Sequence, residues 1–172
     1  LHVLGYHLAY GQWLLRMPRG GLEEWLAANH PDATWLLITA HEPVDWSQDG
    51  KSLLCILHHA GNSMALGIVP VESGEVRQLI TLGWNGVGHP RFSPDGRFIA
   101  YDRKENGNHD IYVLALDGMR ITRLTNLPSK EDSPGWSADG KYVLFSSNRS
   151  GQSDLWAVQV RNGETVDAPV RI

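Results

Sequence analysis

A four-residue phrase, Ser-x-Asp-Gly, occurs three times in the chain at nearly constant spacing. The copies occupy residues 47–50, 93–96 and 137–140, so that successive glycines are 46 and 44 residues apart. An aromatic residue precedes each serine, and an apolar run follows each glycine. Asp-Gly between two strand-like runs predicts a β-hairpin, because glycine adopts positive φ easily and aspartate can bond nearby backbone N–H groups. The repeat therefore predicts a chain built of similar hairpin units.

Each unit continues with a second phrase of the same kind. A polar loop leads into the apolar runs MALGIV, DIYVLAL and DLWAVQV, and a small turn then precedes a shorter, more polar strand. Asp110 and Asp154 open this phrase in two units, whereas Met64 stands in that place in the other. The closing strands carry Arg and Thr and in one case Pro169, as expected of a strand at an exposed sheet edge. Each unit thus contains four strands.

A period near 44 residues with four strands per unit is typical of a β-propeller blade. We therefore predict an all-β β-propeller of four-stranded antiparallel blades, with units at residues 40–82, 83–127 and 128–172. Residues 1–39 align as a fourth, degraded unit, in which residues 22–30 favour a helix by composition and a strand by register. About four units fall short of a ring of six or more blades, so we expect the remaining blades to belong to a longer chain.

The segment SPDGRFIAYDRKENGNHDIYVLALDGMRITRLT, residues 93–125, is similar to the repeat of TolB-like β-propellers. That repeat combines a W/F-S-x-D-G turn, a D-I/L-W/Y strand and a closing R-L-T. The resemblance implies a non-catalytic module that presents loops to a protein or peptide in the periplasm or another extracytoplasmic space. It also leaves a second interpretation open, the gating propeller of a prolyl-oligopeptidase-family serine peptidase whose catalytic domain lies outside this chain.

Composition argues against several other classes of function. The net charge is -4 and no basic stripe occurs, so we expect no nucleic-acid partner. No apolar run approaches the roughly 20 residues that span a bilayer, so we expect no membrane insertion. The single cysteine, Cys55, lies in an apolar run and is expected to be buried.

The sequence contains no complete motif for catalysis or for binding a metal or cofactor. GNSMA, residues 61–65, approaches the G-x-S-x-G nucleophile elbow, but its Ser63 would lie in a hairpin loop instead of between a strand and a helix. The stretch DRKENGN, which begins at Asp102, lacks the glutamate that closes a calcium loop. His58 and His59 are adjacent, so on a strand they would face opposite sides. We predict no catalytic residue, metal or cofactor.

One set of residues does indicate a site. HEP, GHP and EDSP directly precede the first strand of each clear unit, and in a propeller that strand lines the central channel. These segments are therefore expected to form a rim at one mouth of the channel, with Glu42, His89, Arg91 and Asp132 as candidate ligand- or peptide-binding residues. The alternative is that they are ordinary solvated loops. Such a rim suits a partner carrying hydrogen-bond donors and some positive charge.

Overall fold

The computed structural model describes residues 5–7, 13–15, 41–59, 63–83, 86–105 and 107–172. Within these residues all regular secondary structure is β-strand, and no helix long and apolar enough to cross a membrane is present among them. Two short strands, β1 (Gly5–His7) and β2 (Trp13–Leu15), pair antiparallel. The helix-or-strand question at residues 22–30, like most of the predicted unit at 1–39, lies outside the described residues.

Three antiparallel sheets make up the rest of the described chain. The first sheet contains β3 (His41–Trp46), β4 (Ser52–His58), β5 (Met64–Pro70) and β6 (Arg77–Gly83). The second sheet contains β7 (Val87–Phe92), β8 (Phe98–Glu105), β9 (Asn108–Ala115) and β10 (Ile121–Arg123). The third sheet contains β11 (Glu131–Trp136), β12 (Tyr142–Ser147), β13 (Asp154–Arg161), β14 (Glu164–Thr165) and β15 (Val170–Arg171). Strands follow chain order, and β14 and β15 both pair with β13 in the fourth place. The predicted four-stranded antiparallel units are confirmed.

The Ser-x-Asp-Gly phrase forms the first hairpin turn of each sheet, as predicted. In the first sheet the Ser47 hydroxyl donates to Asp49 Oδ1 (2.6 Å) and accepts from the backbone N–H of Ser52 (2.9 Å). Asp49 Oδ1 also accepts from the N–H of Lys51 (3.0 Å), and Gly50 has φ +68°. The same contacts recur around Asp95 and Asp139. Serine and aspartate therefore satisfy the backbone donors that the tight turn leaves free.

Alternate residues of the inner strands face opposite neighbouring sheets. Ile99 and Tyr101 pack towards the first sheet, and Phe98 and Ala100 pack towards the third, in two separate apolar clusters. This arrangement explains why the inner strands of the second sheet are apolar on both faces, since that sheet lies between the other two. At the end of the array, by contrast, the third sheet leaves Leu155 about half exposed.

Hydrogen bonds join the first strands of successive sheets. The Asp45 carboxylate on β3 accepts from the backbone N–H of Phe92 on β7 (2.8 Å), and the Arg91 guanidinium donates to the carbonyl of Val44 (2.8 Å). The indole N–H of Trp136 on β11 donates to the carbonyl of Arg91 (3.2 Å). Strands β3, β7 and β11 therefore lie side by side, and the outer strands fan away from them.

Strand register corrects one part of the sequence alignment. Leu57 pairs with Ala65 in the first sheet, as Arg103 pairs with Asp110 in the second, so Ala65 occupies the place that the alignment assigned to Met64. The cause is loop length, because residues 58–64 separate the first pair and residues 104–109, one fewer, separate the second.

The outer strand of the first sheet is long but irregular. Thr81 pairs with Ala65 and Gly83 with Met64, so Leu82 has no opposite residue. In the same way Leu79 falls between the two β6 residues that pair with Leu66 and Gly67. Both unpaired leucines pack against the core between the first and second sheets. Each is a β-bulge, and two bulges twist an edge strand strongly.

Candidate functional site

The start of β3, β7 and β11 lies at one end of the sheets, which we call the rim. From the rim each of these strands runs to its Ser-x-Asp-Gly turn, and the following strand returns to the rim. The loops after β4, β8 and β12 therefore also lie at the rim, whereas the turns after β5 and β9 lie at the opposite end. The topology brings residues 42, 89 and 132 to the same end of the array.

The first strand of each of the three sheets is interrupted near the rim by a bulge. His89 and Pro90 lie between two paired residues of β7, and Ser133 and Pro134 lie in the same place on β11. His89 has φ +46° and Ser133 has φ +54°, a region that residues other than glycine rarely adopt. In the first sheet Pro43 occupies this place, and its ring, which holds φ near −65°, excludes such a conformation.

Asp102 on β8 connects the bulges of the second and third sheets. Its Oδ1 lies 2.7 Å from Nδ1 of His89 and accepts a hydrogen bond from the backbone N–H of Ser133 (3.2 Å). The Asp102 side chain is 6% exposed, whereas that of His89 is 55% exposed. Gly88 leaves room for the carboxylate, because a Cβ at this position would lie 2.5 Å from Asp102 Oδ2. A buried carboxylate thus holds an exposed imidazole and ties it to the next sheet.

Further ionisable groups surround this carboxylate. Nδ1 of His109 lies 3.9 Å from Asp102 Oδ2, which is too long for a hydrogen bond, and within the described chain this buried nitrogen has no hydrogen-bond partner. Nζ of Lys130 lies 2.5 Å from Asp132 Oδ2. The hydrogen bond to Asp132 and the charge of that carboxylate raise the pKa of Lys130 above its ordinary value. The rim of the second and third sheets is therefore polar and carries both signs of charge.

The four predicted site residues have different surroundings. His89 and Asp132 lie close to one another in the network, since Asp102 contacts both His89 and the residue that follows Asp132. Glu42 lies on β3, where it pairs with Ile56. The Arg91 guanidinium donates to the carbonyls of Val44 and Pro90, so it serves the contact between sheets.

Sequence reasoning missed Asp102, His109 and Lys130. A signal for Asp102 was present in the sequence, because this acidic residue directly follows the apolar run FIAY. The equivalent positions are Ile56 in the first sheet and Ser146 in the third. A carboxylate at the end of a buried strand requires partners, and none of them is its neighbour in sequence. His109 and Lys130 carry no comparable signal.

Glu131, although adjacent to Asp132, belongs to the interior. Its side chain is fully buried and accepts hydrogen bonds from Ser129 (2.9 Å) and Ser147 (3.0 Å). The same carboxylate pairs with Arg149, whose guanidinium lies 4.4 Å from the ring centre of Trp156. This pair fixes the loop after β12 onto the third sheet.

The motifs rejected as chemical sites have ordinary surroundings. Ser63 is followed directly by β5, so the strand-to-helix geometry of a nucleophile elbow is not formed. Among the described residues no group of three or more His, Cys, Asp or Glu side chains could hold a metal ion. Cys55 is buried, and desolvation raises the pKa of its thiol to about 11.

Four-stranded antiparallel sheets, stacked face to face with their first strands side by side, define this chain as a β-propeller protein. The TolB beta propeller domain, as a family, matches residues 36–169. Because the match covers most of the sequence, the chain belongs to that family.

Individual relatives match shorter segments. The Tol-Pal system protein TolB of Francisella tularensis is 32% identical over 81 residues, 47% of this chain and 18% of the relative. The uncharacterized peptidase YuxL of Bacillus subtilis is 30% identical over 145 aligned positions, covering 63% of this chain and 22% of the peptidase. The solved structure of a putative TolB from Agrobacterium tumefaciens is similar in fold, with a TM-score of 0.64, 22% identity, and coverage of 80% of this chain and 50% of that chain. The chain thus matches half or less of the length of each.

Proposed function

We propose that this chain is a non-catalytic binding module, whose rim engages a protein or peptide partner. The observation that carries the proposal is His89, which is more than half exposed yet anchored through buried Asp102 to the next sheet. A polar group held rigidly at an exposed position favours recognition, because little side-chain freedom is lost on binding. The name of the Francisella relative, a Tol-Pal system protein, supports a protein as the partner.

The proposed partner carries hydrogen-bond donors and positive charge at its contact surface. Glu42, Asp132 and the outer nitrogen of His89 are candidate acceptors at the rim, and Lys130 adds the opposite sign beside Asp132. We also propose a periplasmic or extracytoplasmic location and further blades from a longer polypeptide. Fractionation of cells that express the full coding sequence tests the location.

A charge reversal at the rim tests the binding proposal. The purified chain is immobilised, proteins captured from a periplasmic extract are identified by mass spectrometry, and the affinity of the captured partner is measured. The variant Glu42→Lys with Asp132→Lys should weaken binding at least about tenfold, the equivalent of 1.4 kcal/mol. The matched control, Glu72→Lys with Asp117→Lys, makes the same change of charge at exposed turns of the opposite end. Equal binding by the two variants would contradict the proposal.

A second candidate is the gating propeller of a serine peptidase, favoured by the similarity to YuxL. In that case the reactive serine would belong to a separate domain, and the coding sequence beyond residue 172 would contain G-x-S-x-G followed by Asp and His. Either way we expect no labelling of this chain by a serine-hydrolase probe. Labelling that disappears in the variant Ser63→Ala would instead make the chain itself an enzyme.

A further inference from the structure

We propose that Asp102 is a positioning residue, which fixes the tautomer of His89 so that its Nε2 is presented at the rim as a hydrogen-bond acceptor. Nε2 would accept a hydrogen bond from a donor of a polypeptide partner: a lysine ammonium, a hydroxyl or a backbone N–H. This inference rests on the proposed function for its partner, but the tautomer itself can be measured without one.

The direction of the hydrogen bond follows from the second contact of Asp102. Its Oδ1 accepts the backbone N–H of Ser133, a group that can only donate. The same oxygen lies 2.7 Å from Nδ1 of His89, so the proton of that contact belongs on Nδ1. In a neutral imidazole with Nδ1–H, Nε2 is the acceptor.

Two features hold this carboxylate in place. A Cβ on Gly88 would lie 2.5 Å from Oδ2, so the absence of a side chain at residue 88 is what admits the carboxylate. The left-handed conformations of His89 and Ser133 then bring an imidazole and a backbone N–H, from two different sheets, to the same oxygen. Neither the first sheet, with Ile56 at this register, nor the third, with Ser146, has a carboxylate there.

The neighbouring imidazole provides an internal control. His109 approaches the other oxygen of Asp102, at 3.9 Å, and makes no hydrogen bond to it. Its removal should therefore leave the tautomer of His89 unchanged. Of the two imidazoles near Asp102, only His89 should have its tautomer fixed by this carboxylate.

The experiment is nitrogen NMR of the histidine rings in the purified chain, at a pH where the imidazoles are neutral. Spectra of the variant His89→Gln assign the His89 signals among the eight histidines. We expect Nδ1 to carry the proton and Nε2 to resonate as a bare nitrogen. The variant Asp102→Ser, which copies Ser146, should move the proton largely to Nε2, and Gly88→Ala should do the same by displacing the carboxylate.

Rescue separates positioning from a general structural role. Asp102→Asn keeps an acceptor oxygen and should retain the Nδ1–H tautomer, and His109→Gln should be indistinguishable from the parent chain. An Nε2–H tautomer in the parent, or an unchanged tautomer in Asp102→Ser or Gly88→Ala with the fold retained by circular dichroism, overturns the inference. If the tautomer is as expected but charge reversal at the rim leaves binding unchanged, the proposed function is wrong and the role of Asp102 stands.

Discussion

The first and second sheets share a turn, a strand order and a register, but they differ at two buried places. Where the first sheet has Ile56, the second has Asp102, and where the first has Ala65, the second has Asp110. All four side chains are almost completely buried. The repeat therefore tolerates either an apolar residue or a carboxylate at the same backbone position, provided that the surroundings supply partners.

In the second sheet Asp110 anchors the outer strand. It pairs with Arg123 (2.6 Å) and lies 3.4 Å from the hydroxyl of Thr125, which accepts from the backbone N–H of Ile111 (2.9 Å). The first sheet lacks this anchor and instead secures its outer strand with the bulged leucines of β6. A three-residue edge strand can thus be stabilised by a buried carboxylate, whereas a longer one can depend on apolar packing.

The largest effect is expected where a buried carboxylate is replaced by the residue that the second sheet uses. Val87 occupies the place of Glu131, yet Glu131→Val should lower the free energy of unfolding by about 3–5 kcal/mol, because Arg149 would be left without its partner. Replacing both, with Arg149→Leu, should restore stability to within about 1 kcal/mol of the parent. Chemical denaturation measures both values. If the double variant were no more stable than Glu131→Val, the unpaired charge of Arg149 would not be the cause of the loss.

The contribution of the aromatic residue before each turn to stability should depend on how closely its neighbours pack around it. Trp136→Ala should cost about 3 kcal/mol, because the indole packs against Phe98 and donates to the carbonyl of Arg91. Trp46, its counterpart in the first sheet, is 43% exposed, and Trp46→Ala should cost about 1 kcal/mol or less. Denaturant midpoints test the pair. Equal losses would mean that the exposure of Trp46 is a poor guide to its packing.

A smaller effect is expected at the anchor of the outer strand. Asp110→Ala copies Ala65 of the first sheet and should cost about 2 kcal/mol, since it removes a charged partner of Arg123. Asp154 pairs with the half-exposed Arg171 in the third sheet. The variant Asp154→Ala should therefore lower the free energy of unfolding by about 1 kcal/mol or less. Hydrogen exchange of β10 amides measures the local loss. If hydrogen exchange in β10 were unchanged in Asp110→Ala, Asp110 would not stabilise this edge strand.

The smallest effect concerns the turns, which all three sheets share. The serine hydroxyl and the backbone N–H that follows the turn lower the pKa of Asp49 and of Asp139. At Asp95 burial opposes the same bonds, and the pKa is still lowered. A carboxyl with a lowered folded-state pKa stabilises the fold above its unfolded value and loses that contribution as pH falls, here below about pH 4. In thermal melts, Asp49→Asn should slightly reduce the loss of melting temperature below about pH 4. A larger loss in the variant would mean that folding raises the pKa of Asp49 instead of lowering it.

The fold was predictable because its signals are local. Serine, aspartate and glycine make their turn within six residues, so three copies were enough to define the hairpins and their spacing. Register also predicted that His89 and Asp132 share one end of the sheets, but it placed them ahead of the first strands, whereas they lie within β7 and β11. The role of Asp102 was not predictable, because it depends on a bulge that gives His89 a positive φ and on a backbone N–H of the next sheet.

Other details required the three-dimensional register. Arg91 follows His89 in the chain, but its guanidinium reaches the backbone of Val44 in the neighbouring sheet, a contact without any pattern in sequence. The place of Ala65 depended on a single additional loop residue, which alignment on the turn glycines could not detect.

The two bulges of β6 also have a consequence for how this chain would aggregate. The segment QLITL, residues 78–82, is rich in β-forming residues and lacks proline and charge, the composition that stacks readily into cross-β fibrils. Stacking requires a flat strand with a regular ladder, and the unpaired Leu79 and Leu82 deny that geometry to the folded edge. Fibril growth from this segment would therefore require β6 to detach first, so its rate would follow the opening of the outer strand instead of the concentration of folded protein alone.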